Sequence, residues 1–572
     1  MEQYGGEQFQ SYNTCFSSSY EAAMEALSSL ISRKRRVRSN NDGKYNDEKL
    51  NFILKYLKIL NLEEPITALK VIHVAGTKGK GSTCTFSEAI LRECGFRTGL
   101  FTSPHLIDVR ERYRINGLDI SEDKFLQYFW GCWCKLKENV TEDLPMPPLF
   151  QFLTVLAFKI FTSEKVDVAI LEVGLGGRLD STNVVKEPIV CGITSLGMDH
   201  MEILGNTLGQ IASEKAGIFK PRVPAFTVIQ ASEAMDVLQK RASELMIPLH
   251  VASSLDLNKL GGLKLGLAGD HQLINAGLAV SLCKCWLERT GHSEDFGFTT
   301  VNDQSNYLPE AFRRGLSTAC LSGRAQIFRY PLVQSCEGNE NSSFGDLIFY
   351  LDGAHSPESM EVCARWFARA VREDIYLCND GNVDCSWQNL NNQHEPNNLD
   401  KSHKISKQVL LFNCMEVRDP QLLLPQLVRI CAAQGVLFSK ALLVPSLSTY
   451  SKVDSAMSAI PSDVTKDLSW QFRLQKTWER IIHGTDANFE ENPKLSDPEL
   501  LPPSYDFIGE DHPLNCNLRS SNLTSSAVIP SLPVALEWLR KCVKGDPNLR
   551  LQVLVTGSLH LVGDVLKLLR RR

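Results

Sequence analysis

The chain has 572 residues, of which 43% are hydrophobic and 22% charged, a composition typical of globular proteins with two or more domains. Its formal net charge of −5 argues against wholesale binding of nucleic acid, and no apolar run has the length of a membrane span. The odd count of 17 cysteines favours a reducing compartment. We interpret the Cys-x-Cys pairs Cys132/Cys134 and Cys283/Cys285 as buried or half-buried thiols.

The N-terminal stretch is polar, and residues 1–19 are predicted to be disordered. It contains acidic residues and no basic residue before Arg33, whereas transit peptides are Arg-rich and poor in acidic residues. This predicts a cytoplasmic protein, with a mitochondrial or plastid location as the alternative if an upstream start adds a transit peptide. From Tyr20 to Leu62, apolar residues at helical spacing predict two helices around a polar turn. The basic run Arg33–Arg38 fits the solvated end of the first helix better than a nuclear signal.

A phosphate-binding loop is predicted where a short apolar strand runs into glycines. Val71–Ala75 predicts the strand, and Thr83–Cys94 predicts a helix that Ser82 opens and Gly95 closes. In this order, backbone N–H groups and the helix N-terminus become available to an anion. The loop residues are Gly76, Thr77, Lys78, Gly79, Lys80, Gly81, Ser82 and Thr83.

Two side chains of this loop have the chemistry of a nucleotide site. Lys80 can reach the β- and γ-phosphates, and the Ser82 hydroxyl is placed for Mg²⁺. The order of glycine and lysine is shifted from the standard P-loop pattern, so the formal match fails. The loop alone therefore leaves two alternatives open, namely nucleotide binding or a glycine-rich strand-to-helix turn with an exposed lysine.

Further strands alternate with helical stretches and predict an α/β domain with a mainly parallel sheet. The predicted strands are Thr98–His105, which ends in a sharp turn, Asp167–Val173, Ile189–Leu196 and Pro224–Gln230. Ligands of such sheets gather at the carboxyl ends of the strands. Ser103, Glu172 and His200 lie at such ends, as does the phosphate loop.

Three residues near these ends allow both a functional and a purely structural interpretation. Glu172 follows an apolar strand, which favours an Mg²⁺ ligand over an N-cap or salt-bridge partner. His200 alone fits a plain hydrogen-bonding residue, because Mg²⁺ prefers oxygen ligands. The sequence around Lys215, taken alone, predicts a solvated lysine on a helix.

A second, smaller α/β unit is predicted after a boundary near residues 311–321. Its predicted elements are the strands Leu347–Asp352, Gln408–Asn413, Ala441–Val444 and Leu551–Thr556, the helix Glu358–Arg372, and a closing helix. Polar segments at about 379–406 and 486–526 predict surface insertions with little order.

Seven motifs, in the same order, resemble those of folylpolyglutamate synthases, a family related to the Mur peptide-synthesis ligases. They are Gly76–Ser82, Ser103–His105, Glu172–Asn183, Asp199–His200, Glu214–Pro221, Gly269–Ala276 and Asp352–Pro357. The resemblance extends from about residue 20 to the C-terminus. It implies an α/β fold with an N-terminal P-loop NTPase-like parallel-sheet domain, residues 20–318, and a smaller Rossmann-like glutamate-ligase domain, residues 319–572.

The resemblance also implies a reaction. MgATP, L-glutamate and a reduced folate, or its polyglutamate, would give ADP, phosphate and a folate longer by one γ-linked glutamate. The folate γ-carboxylate would first become an acyl phosphate, which the amine of the incoming glutamate then attacks. ATP and two Mg²⁺ ions are the implied cofactors, with a monovalent cation such as K⁺ as a further candidate. The implied partners are these small molecules, and we expect a monomer.

Site residues follow from the resemblance residue by residue. The loop Gly76–Thr83 would hold the triphosphate, and Ser82 the first Mg²⁺ ion. Glu172 would bridge this ion to a second one, which Ser103 and His200 also bind. Lys215 matches a lysine that is carbamylated in the superfamily, so that it would become an anionic ligand near the second ion. The implied catalytic residues are Lys80, Glu172, His200 and Lys215.

The nucleotide would also receive contacts from outside the loop. Asn275 would lie on the adenine side, and the second domain would contribute Arg324, Asp352 and His355. The resemblance thus implies ATP between the domains, with closure assembling the site.

Two departures from the family pattern accompany these matches. Leu321–Arg324 stands where the family has Trp-Pro-Gly-Arg, and Ser356 stands where it has Asn. Neither change removes a charge that the mechanism needs. The alternatives are a bifunctional dihydrofolate synthase/folylpolyglutamate synthase or, from other classes, a P-loop kinase or nucleotide switch, or a catalytically silent folate-binding protein.

Overall fold

A computed structural model describes residues 19–31, 42–296, 307–331, 344–379, 404–448, 467–484 and 525–570. Within these ranges the chain forms two compact units. The first contains the described residues up to Leu267 together with His271–Leu321, and the second contains Ala268–Asp270 and the described residues from Ser322 onward. Three predicted segments lie wholly or mostly outside the described residues. They are residues 1–19, predicted to be disordered, of which only Ser19 is described, the basic run Arg33–Arg38, and the two polar insertions.

The N-terminal helices have the predicted positions. Helices α1 (Tyr20–Ser29) and α2 (Asp42–Ile59) confirm the pair inferred from apolar spacing. Ser19 caps α1, because its side chain accepts a hydrogen bond from the Ala22 N–H at 3.2 Å. A short helix, α3 (Glu63–Thr67), leads into the first strand.

The first unit is built on an eight-stranded sheet with the order β4-β3-β2-β5-β1-β6-β7-β8. Its strands are β1 (Val71–Ala75), β2 (Thr98–Phe101), β3 (Tyr113–Ile115), β4 (Leu118–Asp119), β5 (Val168–Glu172), β6 (Val190–Ile193), β7 (Ala225–Thr227) and β8 (Leu249–Val251). In this spatial order, every neighbouring pair from β2 to β8 is parallel. At the other edge, β3 pairs antiparallel with both β2 and β4. The predicted parallel sheet is confirmed, and the sequence patterns missed the β3–β4 hairpin and the edge strand β8.

Helices cover both faces of this sheet. They are α4 (Lys80–Glu93), α5 (Glu122–Glu138), α6 (Leu149–Ser163), α7 (Met201–Leu204), α8 (Leu208–Ala216), α9 (Ser232–Glu244), α10 (His271–Arg289) and α11 (Glu310–Thr318). Ala169 and Leu171 of β5 pack in one core with α1, α2, α5 and α6. Val168 and Ile170 pack in the opposite core with α4, α10 and α11. Both faces of the strand are therefore buried, as in other doubly covered parallel sheets.

One predicted helix boundary is wrong, since α4 begins at Lys80 rather than beyond Ser82. Gly79 has a left-handed φ of 91°, which a residue with a side chain rarely adopts, and it turns the chain into the helix early. The earlier start of α4 places Lys80 and Ser82 in the first helical turn. Their backbone N–H groups thus belong to the helix N-terminus.

The second unit has a six-stranded sheet with the order β13-β12-β11-β14-β10-β9. Its strands are β9 (Gln326–Arg329), β10 (Asp346–Leu351), β11 (Ile405–Phe412), β12 (Phe438–Leu443), β13 (Ser526–Val528) and β14 (Leu549–Thr556). Its helices are α12 (Pro357–Asn379), α13 (Pro420–Ala433), α14 (Ser469–His483), α15 (Leu532–Gly545) and α16 (Leu559–Arg570). Apart from the antiparallel edge β9, the strands are parallel. The predicted second α/β unit is confirmed, with β9, β13, α13, α14 and α15 missed.

The cysteine and membrane predictions can be compared with the described part of the chain. Cys132, Cys283 and Cys285 are buried and Cys134 is half-buried, as expected for structural thiols. No described helix is both long and apolar enough to cross a membrane.

Candidate active site

The predicted phosphate loop connects β1 to α4 and is fixed to the end of β6. The N–H groups of Thr77 and Lys78 donate to the Ser195 carbonyl oxygen, over 3.0 and 3.1 Å. The first helical hydrogen bond of α4 runs from the Thr83 N–H to the Gly79 carbonyl at 2.9 Å. The N–H groups of residues 80–82 therefore precede the helical ladder and, together with the helix dipole, suit an anion.

Two glycines of the loop allow a close approach that no side chain would permit. A Cβ atom on Gly76 would lie 1.8 Å from the Thr194 Oγ1 atom, and one on Gly79 would lie 2.1 Å from the Asn275 Oδ1 atom. Asn275 is buried and its amide nitrogen donates to the Gln272 Oε1 atom at 2.9 Å. The structure thus places Asn275, the predicted adenine-side contact, against the loop backbone.

Two lysines donate to one carbonyl oxygen of the loop. The Nζ atom of Lys215 lies 2.7 Å from the Gly76 oxygen, and the Nζ atom of Lys80 lies 3.2 Å from the same oxygen. Lys80 is half-buried, so the alternative of an exposed lysine in this turn is wrong. Burial lowers the pKa of Lys80.

Lys215 is only 4% exposed, which overturns the interpretation of a solvated lysine from its sequence alone. The cause is the packing of α8 against the glycine-rich segment that follows β5. A Cβ atom on Gly177 would lie 2.8 Å from the carbonyl oxygens of Glu214 and Lys215, and the Arg178 N–H donates to the Glu214 carbonyl at 2.8 Å. Burial, and secondly the positive charge of Lys80, lower the pKa of Lys215 to about 7.

Glu172 joins the loop to a second strand end. It is 4% exposed, and its Oε2 atom accepts a hydrogen bond from the Ser103 N–H at 2.9 Å. A Cβ atom on Gly81 would lie 3.5 Å from the same Oε2 atom, so the carboxylate lies beside the first turn of α4. The structure therefore brings Glu172, Ser103 and the phosphate loop together.

Ser82 and Glu172 provide oxygen atoms of the kind that Mg²⁺ prefers. The Ser82 hydroxyl is buried in the first turn of α4 and accepts a hydrogen bond from the Gln272 amide at 3.3 Å. Among the described residues, no group of three or more His, Cys, Asp or Glu side chains could hold a metal ion. A magnesium site here would accordingly rest on hydroxyl, carboxylate and substrate oxygens.

His200 has a different environment from Glu172. It lies in an exposed turn with a φ of 52°, just before α7, and its Nδ1 atom is 3.7 Å from the Glu202 Oε1 atom. The hydrogen bond between Ser103 and Glu172 does not include His200. Its neighbour Asp199 does contact the loop, because the Lys78 Nζ atom lies 3.0 Å from its Oδ2 atom.

In the second unit, Asp352 and His355 form a tight turn after β10. Asp352 accepts hydrogen bonds from the Ala354 N–H at 3.0 Å and the Ala325 N–H at 2.9 Å. Burial raises the pKa of Asp352, and the positive charge of Arg324 opposes this rise. The His355 ring bonds to the Gly353 carbonyl at 2.8 Å. Arg324, Asp352 and His355 therefore belong to one neighbourhood of this unit.

Ser356 caps the helix that follows this turn. Its hydroxyl accepts from the Ser359 N–H at 3.4 Å, while the Ser359 hydroxyl accepts from the Ser356 N–H at 2.9 Å. This reciprocal pair resembles a capping box at the start of α12. The hydroxyl that replaces the family's amide therefore has a structural partner.

Sequence patterns missed two residues of this site. Gln272 contacts both Ser82 and Asn275. Arg112 is buried, and its Nε atom donates to the His105 Nδ1 atom at 2.9 Å. The motif Gly269–Ala276 contained Gln272 without suggesting its contact with Ser82, and no local signal predicts burial of an arginine among charged neighbours.

Comparisons with known proteins agree with this arrangement. Residues 74–283 match the Mur ligase middle domain. A folylpolyglutamate synthase of Arabidopsis thaliana is 61% identical, covering 97% of this chain and 87% of its own length. A mitochondrial folylpolyglutamate synthase of Homo sapiens is 37% identical, covering 88% of this chain and 84% of its own length.

Solved structures share the fold. Folylpolyglutamate synthase from Thermotoga maritima superposes with a TM-score of 0.60 at 23% identity, covering 96% of this chain and 97% of its own. The Mycobacterium tuberculosis enzyme, solved with ADP and AMPPCP, has a TM-score of 0.61 at 20% identity and covers 96% of this chain and 99% of its own. With two parallel-dominated sheets and relatives of this identity along nearly its whole length, the chain belongs to the folylpolyglutamate synthase family of ATP-dependent carbon–nitrogen ligases.

Proposed function

We propose that this chain adds L-glutamate, in γ-linkage, to tetrahydrofolate and its polyglutamates, using ATP and releasing ADP and phosphate. Membership of the family supports the ligase over a kinase, a nucleotide switch or a silent folate-binding protein. The relatives carry the name folylpolyglutamate synthase, which favours this activity over the bifunctional alternative. The observation that carries the proposal is the meeting of Lys80 and Lys215 at one loop carbonyl, with Glu172 beside the same loop.

The triphosphate of ATP is assigned to the loop Gly76–Thr83. The N–H groups ahead of the helical ladder of α4 donate to phosphate oxygens, and the helix dipole adds a partial positive charge. Lys80 exchanges its hydrogen bonds to the carbonyl oxygens of Gly76 and Thr77 for bonds to phosphate. Desolvation strengthens this charge interaction, because little water competes for the ammonium group.

Ser82 and Glu172 are assigned to a first Mg²⁺ ion, since they offer a hydroxyl and a buried carboxylate beside the loop. A bound ion would supply positive charge to the triphosphate. Ser103 and His200, with Glu172, are proposed for a second ion. K⁺ is a further candidate cation.

Lys215 is proposed to be carbamylated. Its amine must be neutral to attack CO₂, and burial lowers its pKa to about 7, so a substantial neutral fraction exists near neutral pH. The nitrogen forms a bond to the carbon of CO₂ and loses a proton, which leaves a carbamate anion. Lys80 lies at the same carbonyl oxygen and can neutralise that charge.

The reaction has two steps. An oxygen of the folate γ-carboxylate attacks the γ-phosphorus of ATP, the bond to the bridging oxygen breaks, and ADP leaves. The amine of glutamate then attacks the acyl carbon, loses a proton, and displaces inorganic phosphate. Lys80 and the loop N–H groups stabilise the charge that gathers on the transferred phosphoryl group.

Other assignments remain predictions. They are the contacts of Asn275, Arg324, Asp352 and His355 with the nucleotide, the domain limits 20–318 and 319–572, a monomeric state, and a cytoplasmic location with a mitochondrial or plastid alternative.

The experiment measures labelled L-glutamate incorporated into tetrahydrofolate by the purified protein with MgATP, and the ADP released per glutamate added. We expect a ratio of one to one that is lost in Glu172→Ala and Lys215→Ala. ATP turnover without incorporation would contradict the proposal and favour a kinase or switch.

A further inference from the structure

The N-terminal helix α1 contacts a loop that leads to the candidate active site. The hydroxyl of Tyr20, the first residue of α1, donates to the Asp108 Oδ1 atom at 2.6 Å. The Arg110 Nε atom donates to the same oxygen at 3.1 Å, and the Arg110 guanidinium lies 5.2 Å from the centre of the Tyr20 ring. Tyr20 and Asp108 are 4% and 6% exposed, so this contact is shielded from water.

The loop that Tyr20 contacts, residues 103–112, is held by its own carboxylates. Glu111 accepts hydrogen bonds from the N–H groups of Leu106, Ile107 and Asp108, over 2.7 to 3.1 Å. Asp108 and Glu111 cap the 3₁₀ turn that ends this loop. A displacement of Asp108 therefore moves the turn as a unit.

The two ends of this loop are joined to each other beside the candidate site. At one end, the Ser103 N–H donates to Glu172 at 2.9 Å. At the other end, Arg112 donates through Nε to His105 at 2.9 Å, and the Arg112 carbonyl accepts from the Thr102 N–H at 3.2 Å. The loop thus connects the contact with Tyr20 to Ser103, whose N–H donates to Glu172.

The opposite end of α1 leads to the other side of Glu172. The carbonyl of Leu30, the residue after α1, accepts from the N–H of Leu149, the first residue of α6, at 3.1 Å. The next residue, Phe150, packs on the glycine-rich segment after β5, because a Cβ atom on Gly174 would lie 2.4 Å from its ring. The two ends of α1 therefore contact two different structures, loop 103–112 and the start of α6. Each of these structures contacts Glu172 or the segment that follows it.

We propose that Tyr20 is a positioning residue of the active site, which fixes loop 103–112 and thereby the hydrogen bond from Ser103 to Glu172. The N-terminal helix is then part of the catalytic architecture as well as the hydrophobic core. The kinetic consequence rests on the proposed ligase function, whereas the effect on the loop does not.

Electrostatics strengthen this contact. Burial alone would raise the pKa of Asp108, but hydrogen bonds from Arg110 and Tyr20 outweigh burial and lower it. Tyr20→Phe removes one donor from this buried carboxylate and leaves those of Arg110, so we expect the turn to be held less firmly.

The test compares Tyr20→Phe with Tyr56→Phe. Tyr56 is 2% exposed, packs in the same hydrophobic core, and donates its hydroxyl to the Pro145 carbonyl at 2.7 Å. Each variant removes one phenol oxygen and the hydrogen bond that it donates, which is buried for Tyr20 and part-buried for Tyr56. Only Tyr20 contacts loop 103–112 through that bond.

The first readout is hydrogen exchange of the backbone amides. We expect exchange at Ser103, Leu106, Ile107 and Asp108 to be about tenfold faster in Tyr20→Phe, as for one charge-assisted hydrogen bond, and unchanged in Tyr56→Phe. In Tyr20→Phe, exchange of the β1 amides should be no faster than the change in global stability accounts for. Equal exchange of the loop in the two variants would overturn the proposal.

The second readout is glutamate incorporation. We expect kcat of Tyr20→Phe to fall about tenfold and the Mg²⁺ concentration for half-maximal activity to rise, with both quantities near wild type in Tyr56→Phe. A wild-type protein that incorporates no glutamate would contradict the proposed function, and the exchange experiment would still decide the role of Tyr20. An active wild type with unaltered kcat and Mg²⁺ dependence in Tyr20→Phe would overturn the proposal.

Discussion

The two sheets hold the charged residues at their strand ends in different ways. In the first unit, two contacts join residues that are distant in sequence, since the contact between Lys215 and Gly76 spans 139 positions and that between Ser103 and Glu172 spans 69. In the second unit, His355 bonds to Gly353 two positions away, and Ser356 pairs with Ser359 three positions away.

This difference indicates what the loss of a contact would disturb in each unit. A long-range contact in the first unit couples several elements, so its loss should disturb nucleotide binding and chemistry together. A local contact in the second unit belongs to one turn, and its loss should affect mainly the helix that follows. The predictions below test this contrast from the largest expected effect to the smallest.

The largest effect is expected for Lys80→Met. This change removes the ammonium group that we assign to the transferred phosphoryl group, so kcat should fall on the order of 10²–10³-fold. Steady-state glutamate incorporation measures it, with Lys240→Met, an exposed lysine on α9, as the control. A fall of less than fivefold would remove Lys80 from the proposed mechanism.

The next effect compares two glycines with the same φ angle. Gly79 and Gly95 both have a φ of 91°, but a Cβ atom on Gly95 would meet nothing within 4 Å, whereas one on Gly79 would lie 2.1 Å from Asn275. Gly95→Ala should destabilise by about 1–2 kcal/mol, the strain of the left-handed conformation. Gly79→Ala should destabilise by more and also weaken nucleotide binding. Urea unfolding and ADP titration measure the two effects, and equal results for both variants would show that the loop tolerates a side chain.

The third prediction concerns pH. The pKa of Lys215 falls from 10.5 to about 7 in the folded chain. Between these values the unfolded chain binds a proton that the folded chain lacks, so the stability of the first unit should rise with pH. The slope from this group approaches about 1.4 kcal/mol per pH unit.

Lys215→Met should remove that part of the slope. Urea unfolding at several pH values from 7 to 10, in CO₂-free buffer, compares the variant with the wild type. Identical slopes would mean that Lys215 keeps an ordinary pKa, and would leave its carbamylation without physical support.

The smallest effect is expected at the local turn of the second unit. Ser356→Ala should destabilise by about 1 kcal/mol, as for other lost N-caps, whereas Ser356→Asn should remain within a few tenths because Asn caps well. Urea unfolding measures both. If Ser356→Ala instead abolished glutamate incorporation at full stability, the turn would have a direct role in catalysis.

Local patterns predicted those features that depend on neighbours in sequence. Val71–Ala75 is a strand because Val71, Ile72 and Val74 are apolar and β-branched, and Glu172 lies at a strand end because an apolar run stops there. The parallel sheet followed from the alternation of strands and helices. These features explain why the general place of the site could be predicted.

The remaining features depend on tertiary packing. Lys215 is buried because Gly177 lets the backbone after β5 approach the end of α8, and nothing in residues 208–216 alone indicates that approach. The start of α4 at Lys80 depends on the left-handed conformation of Gly79. The resemblance to the family identified Lys215 as special, but the physical reason, desolvation beside Lys80, required the three-dimensional arrangement.

The most direct test of the central claim follows one oxygen atom. Tetrahydrofolate labelled with ¹⁸O in its γ-carboxylate is incubated with the protein, MgATP and L-glutamate, and the released phosphate is analysed by mass spectrometry. If the site transfers the γ-phosphoryl group to that carboxylate, each phosphate should carry one labelled oxygen. Unlabelled phosphate, formed while glutamate is incorporated, would contradict the acyl-phosphate mechanism that we assign to this site.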